Sequence, residues 1–138
     1  MGNKLAVLIA LVLALVACKP PSQEVAPLTP EAKDYVRHLN LSDVQMKATE
    51  TYLKQVITEI EGNIQNQGDR ALQSVEIVCV FYDAYGEVVL RERVPIVKRS
   101  GGALKPGQTR AFRLPFDNIP EGWNNQMPNL VIAAITFE

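Results

Sequence analysis

The chain has 138 residues, of which 47% are hydrophobic and 21% are charged, and its formal net charge is −1. This length predicts one domain with appendages, and the composition is that of a globular protein. The chain lacks the basic excess that binding to a phosphate backbone requires, so we expect no nucleic-acid partner. Two cysteines, Cys18 and Cys79, are too few for a disulfide framework or a four-cysteine zinc site.

The N-terminal segment has the layout of an export signal. Lys4 supplies one positive charge before Leu5–Val16, a run of twelve residues without a charge, proline or glycine. A membrane span takes about 20 apolar residues, so this run is too short for one and fits the core of a signal peptide. We therefore predict a signal peptide over 1–17, cleaved between Ala17 and Cys18. The alternative is a plain signal or short anchor in which the cysteine is incidental.

The four residues Leu15-Val16-Ala17-Cys18 resemble the lipobox of bacterial lipoproteins. The resemblance implies a diacylglyceryl group on the sulfur of Cys18, cleavage directly before it, and acylation of the new amino group, palmitate being a typical chain. It thus implies a lipid anchor on the extracytoplasmic side of the cell membrane. Lys19 stands where an Asp favours inner-membrane retention, which implies the periplasmic face of the outer membrane if the organism has two membranes.

The segment after the signal reads as a tether followed by a helix. Residues 18–28 are rich in proline, and ten such residues reach about 30 Å at ~3.1 Å each. Thr29-Pro30-Glu31 is typical of a helix start, with Thr as the N-cap and Pro at the first helical position. We predict a short helix over 30–39, packed on its own domain, within a helix-and-connection segment over 29–42.

The remaining residues, 43–138, alternate between apolar and polar side chains in six or seven short runs separated by turn signals. We read a turn over 63–70 and a hairpin with its own turn at 83–86. The first hairpin strand is apolar on both faces and is therefore predicted to be central. One face carries Val75, Ile77, Cys79 and Phe81. The other face carries Val78, Val80 and Tyr82. The predicted fold is mainly β: an immunoglobulin-like antiparallel β-sandwich with a short N-terminal helix.

Three phrases in this region resemble FxLYD-type domains of bacteria. They are Gly62–Asp69 in the pattern G-x-I-x-N-x-G-D, Tyr82-Asp83 at a strand end, and Leu104–Phe112 in the pattern L-x-P-G-Q-x-x-x-F. The resemblance implies an immunoglobulin-like sandwich that acts as an extracytoplasmic binding or scaffold module, and no catalytic residues come with it. Cys79 stands where the family name places Phe, which is a departure from the family. Because Cys is smaller than Phe, the exchange should shift the local packing.

The segment 87–113 holds seven basic and two acidic side chains. We take six of the basic residues as a candidate interaction surface, toward anionic headgroups or an acidic partner. These are Arg91, Arg93, Lys98, Arg99, Arg110 and Arg113. The alternative is that they are the solvated faces of two strands and protect a sheet edge.

Two other residues are assigned to packing. Cys79 is predicted to be a buried, inert thiol, because lipidation of Cys18 would forbid a bridge between the two cysteines. Trp123 is predicted to close one end of the sandwich, although Trp is also favoured at protein interfaces.

No catalytic, phosphate-binding or metal-binding motif stands out in the sequence, so we expect no enzyme, cofactor or metal site. The predicted function is a membrane-anchored extracytoplasmic lipoprotein whose sandwich is a non-catalytic binding or scaffold module for an unknown envelope protein. Two alternatives stay open: an assembly or chaperone-like factor that receives a client strand at a sheet edge, and an enzyme with a dispersed site.

Overall fold

A computed structural model describes residues 28–138 as a short helix followed by six strands. The elements are α1 (Pro30–Tyr35), a 3-10 turn (Val36–His38), β1 (Leu39–Glu50), β2 (Val56–Asn66), β3 (Leu72–Tyr82), β4 (Val88–Val97), a second 3-10 turn (Arg99–Gly101), β5 (Thr109–Phe116) and β6 (Asn129–Phe137). In this part of the chain, no helix has the length and apolar content needed to cross a membrane. The predicted signal peptide, the predicted lipidation site Cys18 and the predicted tether up to residue 27 lie outside the described residues.

The strands form two antiparallel three-stranded sheets, in the orders β1-β2-β5 and β4-β3-β6. The prediction of a mainly β protein with one short helix is confirmed, and the two sheets are consistent with a sandwich. β4 and β5 lie against each other on one side, and β1 and β6 are the outer strands on the other. β3 is central in its sheet, as its two apolar faces predict.

The antiparallel arrangement gives the sandwich two distinct ends. The proximal end carries α1, the turn 67–71, the connection 98–108 and the C-terminus. The distal end carries the connections 51–55, 83–87 and 117–128. The chain therefore enters the domain at the proximal end.

The core lies between the sheets. The alternate residues Val75, Ile77 and Cys79 of β3 are fully buried, and Ile60 and Ile64 of β2 are fully buried opposite them. Each such large aliphatic side chain contributes about 1.5–3 kcal/mol on burial. The predicted inward face of β3 is thereby confirmed.

Three element boundaries differ from those predicted. The helix predicted over 30–39 ends as an α-helix at Tyr35, and β1 begins at Leu39, earlier than the predicted sandwich start at 43. The reason is strand pairing: Leu39 pairs with Asn66, and the Gln67 N–H donates to the His38 carbonyl at 2.8 Å. The turn predicted over 63–70 begins only at 67, since residues 63–66 belong to β2.

Asn66 is the reason that this polar stretch is strand rather than turn. Its side chain is fully buried and makes four hydrogen bonds. The amide nitrogen donates to the carbonyls of Arg70 (2.7 Å) and Leu104 (3.0 Å). The amide oxygen accepts from the Tyr35 hydroxyl (2.8 Å) and the Gly68 N–H (3.1 Å). One side chain thus joins α1, the turn 67–71 and the connection 98–108.

Two glycines of the same phrase lie where no larger side chain fits. A Cβ on Gly62 would come within 2.7 Å of the Phe112 ring, and a Cβ on Gly68 within 2.2 Å of the Tyr35 hydroxyl. At Gly62 the neighbouring strand β1 also bulges between Ser42 and Gln45. The phrase Gly62–Asp69 therefore encodes close packing around Phe112 and Tyr35.

The Asn66 network predicts a large cost for Asn66→Ala. The change removes all four hydrogen bonds of a fully buried side chain, including the acceptor of the Tyr35 hydroxyl and of the Gly68 N–H, and we expect the free energy of unfolding to fall by about 3 kcal/mol. Asn63→Ala is the matched control, because Asn63 lies in the same strand and bonds only the exposed Asp43. We expect it to cost less than about 0.5 kcal/mol. Urea unfolding followed by Trp123 fluorescence measures both, and equal losses would contradict the proposed role of Asn66.

Candidate interaction surfaces

The six predicted basic residues do not form one free patch. Arg91 and Arg93 lie on β4, Lys98 and Arg99 follow it, and Arg110 and Arg113 lie on β5. Because β4 and β5 adjoin, all six lie along one side of the sandwich.

Three of these residues are already bonded within the chain. Arg93 Nε donates to Glu76 at 2.6 Å, and Arg113 Nε donates to Glu59, a bond that raises the pKa of Arg113. Arg110 donates to the carbonyls of Gly102 (2.8 Å) and Ala103 (3.1 Å). The candidate basic surface is thereby reduced to Arg91, Lys98 and Arg99, which make no ion pair within residues 28–138.

A groove of about 240 Å³ lies between β4 and β5. Its polar lining includes Lys98, Ser100, Arg110 and Arg113. Arg113 is ion-paired with Glu59 and Arg110 is held by two carbonyls, so Lys98 is the basic side chain of this groove that has no partner within residues 28–138.

A second groove, of about 360 Å³, lies on the outer face of β1, β2 and β5. Its polar groups are also paired. Asn63 donates to Asp43 at 3.1 Å, and Lys47 donates to Glu61 at 2.6 Å, which lowers the pKa of that carboxyl. The residues that line this groove include no nucleophilic side chain beside a general base.

Clusters of three or more metal-ligating side chains do not occur between residues 28 and 138. The single histidine, His38, packs against the Tyr35 ring at a centroid distance of 5.2 Å. His38 thus packs on α1 at the proximal end of the domain.

The Cys79 thiol is fully buried in the core, as predicted. Burial, followed by the charge of Glu92, raises the pKa of this thiol to about 12. Since the thiolate is the reactive form, the thiol is chemically inert at neutral pH.

Trp123 packs against the distal end of the core, as predicted. Its ring meets Phe81 edge-on at a centroid distance of 5.5 Å, and its N–H donates to the Gln126 carbonyl at 3.1 Å. Phe81 also meets Phe116 edge-on at 5.2 Å. These aromatic contacts fix the long connection 117–128 on the two sheets.

The distal end is also where large apolar side chains are exposed. Tyr52 is fully exposed, Tyr85 is 91% exposed and Leu53 is 79% exposed. Further exposed apolar residues at this end or in the first residues of the adjoining strands are Val56, Val88, Ile119, Met127 and Val131. Together these residues are called the distal apolar residues. Every exposed large hydrophobic side chain between residues 28 and 138 belongs to this group.

Acidic residues surround the distal apolar residues. Glu87, Asp117 and Glu121 lie in or next to the distal connections, and the basic Lys54 there pairs with Glu50 at 3.4 Å. Asp83 caps its own turn by accepting from the N–H groups of Tyr85 and Glu87. An end that is apolar with an acidic rim suits a protein partner with a basic rim.

Sequence reasoning missed this surface. Its residues come from three connections that are far apart along the chain and have no common period. The available signal was the presence of Tyr52, Leu53 and Tyr85 beside turn residues, where large apolar side chains are not needed for folding.

The raised pKa of Cys79 predicts a silent thiol in the folded protein. At pH 8, a pKa of about 12 leaves about one thiolate in ten thousand. We expect a maleimide to label Cys79 only after unfolding in guanidinium chloride. The label that is lost in Cys79→Ala is the label carried by Cys79. Labelling of the native protein within minutes would contradict the buried position.

Comparison with protein families and with curated proteins finds no match to this chain. Among solved structures, the chain is similar to a protein from Bordetella pertussis described as ApaA, with 18% sequence identity and a TM-score of 0.39. The alignment covers 72% of this chain and 90% of that one. A likeness of this extent leaves the function to be argued from the residues themselves.

Proposed function

We propose that the protein is a lipid-anchored extracytoplasmic lipoprotein whose β-sandwich is a non-catalytic binding module in the cell envelope. The observation that carries the proposal is the position of the distal apolar residues, at the end of the domain opposite the one where the chain enters. The lipobox residues Leu15–Cys18 supply the anchor.

The position of α1 relates the anchor to the binding end. Ala32 and Tyr35 are buried against the domain, and Tyr35 meets Phe137 edge-on at 5.2 Å. The tether therefore joins a fixed proximal end. With a tether reach of about 30 Å, the domain stays close to the membrane surface and its distal end is available to a partner further away.

The acidic rim favours a protein over a lipid surface as the distal partner. Anionic headgroups attract basic residues and repel Glu87, Asp117 and Glu121. Exposed Tyr side chains are favoured where a rigid aromatic anchor enters a pocket of another protein. The partner expected at this end is an envelope protein with an apolar recess and basic residues around it.

Cys18→Ala tests the anchor. In cells given a palmitate analogue, we expect label on the wild-type chain and none on the variant, which should also leave the membrane fraction. Asn3→Ala, a change in the signal peptide away from the lipobox, should keep its label. An unlabelled wild type, or equal labelling of Cys18→Ala, would contradict the lipoprotein assignment.

A photo-crosslinker at Leu53 tests the distal surface. We expect a discrete adduct with another envelope protein, and at least a fivefold loss of that adduct when Tyr52 and Tyr85 are changed to Ser. Both Tyr side chains are exposed, so these changes should leave folding intact.

The matched probe is the same crosslinker at Lys98, on the candidate basic surface. We expect it to give no adduct of that mass. An adduct at Lys98 alone, reduced by Arg99→Ser, would assign binding to the basic residues and overturn the distal proposal.

A further inference from the structure

The two sheets have four outer strands, and three of them carry features that oppose pairing with another strand. β1 bulges at Asp43, whose φ is 52°, and carries Lys47. β4 contains Pro95 and three charged residues, and β5 contains Pro115 and two charged residues. Charged residues, prolines and bulges are the usual protection of a sheet edge.

The charged residues of β4 are Arg91, Glu92 and Arg93, and those near Pro115 on β5 are Arg110 and Arg113.

The fourth outer strand, β6, has neither a charge nor a proline in its nine residues, Asn129–Phe137. Its pairing with β3 shifts register twice, at Gln73 of β3 and at Ala133 of β6, and the second shift divides β6 into two uncharged segments. Val131 lies in the first of these segments and is 53% exposed. An exposed Val on an uncharged outer strand is the opposite of edge protection.

The inward face of β6 is also incompletely covered. Leu130, Ile132 and Ile135 pack against the core but are only partly buried. Val44 and Met46 of β1, the outer strand facing the same side, are partly buried as well. By contrast, Ile96 and Phe112 are buried on the side where β4 adjoins β5. The side between β1 and β6 is therefore the less complete side of the sandwich.

We propose that β6 pairs antiparallel with β6 of a second copy of this chain, across a twofold axis near Val131. The N–H groups that β6 directs away from β3 then donate to C=O groups of the partner strand, and the C=O groups on this edge accept from N–H groups of the partner. A second β6 suits this edge because it has no charged residue of its own. Pairing the two strands therefore removes no charged side chain from water. Val131 becomes covered by side chains on the same face of the partner strand.

The outer face next to this edge is apolar too, which extends the contact. Val78, Val80 and Ala133 form a buried cluster on that face, with Tyr82 packed against it. Val131 pairs with Val78 and lies at the border of this cluster. A strand added to β6 would thus continue an existing apolar surface.

Single cysteines on β6 of the full-length chain, expressed in its membrane, test the pairing. In a twofold antiparallel pair the residue nearest the axis lies about 5.5 Å from its own copy, a distance that a disulfide spans. With Asn129→Cys, Val131→Cys and Ala134→Cys under mild oxidation, we expect a disulfide dimer of twice the chain mass that is strongest at 131. Buried Cys79 should give no background.

Two comparisons make the result decisive. Arg91→Cys, on the opposite edge of the same sheet, should give at least tenfold less dimer. Adding Val131→Lys to co-expressed Leu130→Cys and Ile132→Cys chains, whose cysteines lie opposite each other when the axis is at 131, should reduce their dimer at least tenfold, whereas Ala111→Lys, at an exposed residue of β5, should not.

Equal yields of disulfide dimer from Arg91→Cys and Val131→Cys would overturn the proposal. The absence of a dimer at every β6 position, or an adduct of another mass, would overturn it as well. An adduct of another mass would instead assign the edge to a client strand. The disulfide dimer has twice the chain mass, whereas the adduct at Leu53 contains another protein, so the two proposals can fail separately.

Discussion

The buried amide of Asn66 is the constraint on which the proximal end depends. A buried amide must find partners for its two N–H groups and its oxygen, and these partners come from three separate segments. The backbone of Asn66 adds two more bonds, to Gln108 and Gly107. The helix, the turn 67–71 and the connection 98–108 can adopt their positions only together. The chain thus enters a rigid end, although that end is built largely of connections.

Residues whose burial follows a simple period could be predicted from the sequence. Ile77 and Phe81 face the core and Val80 faces outward because successive strand residues alternate, and one apolar run is enough to show it. The type II turn at Pro106-Gly107 was also predictable, since Gly107 has a φ of 79° that glycine adopts readily. These features are local, and local chemistry determines them.

Features that depend on distant partners could not be predicted. Residues 63–66 have the composition of a turn, and only the pockets formed by Tyr35 and Leu104 show why Asn66 lies in a strand. Arg113 looked free in the sequence because Glu59, its partner, is in another part of the chain. The candidate basic surface was therefore overestimated, and the distal apolar residues were missed because they are spread over three connections and the strands beside them.

The pairing of β1 has a mechanical consequence for an anchored protein. Under the proposed anchoring, a pull on Leu28 loads the chain at α1 and then at the proximal end of β1. A partner held at the distal end pulls in the opposite direction, so the force runs along the strands. The hydrogen bonds between β1 and β2 lie across that direction and extend from Leu39 to Glu50, which means that they resist together in shear rather than opening one at a time. The pairing of β1 with β2 is thus arranged to resist force applied along the strands.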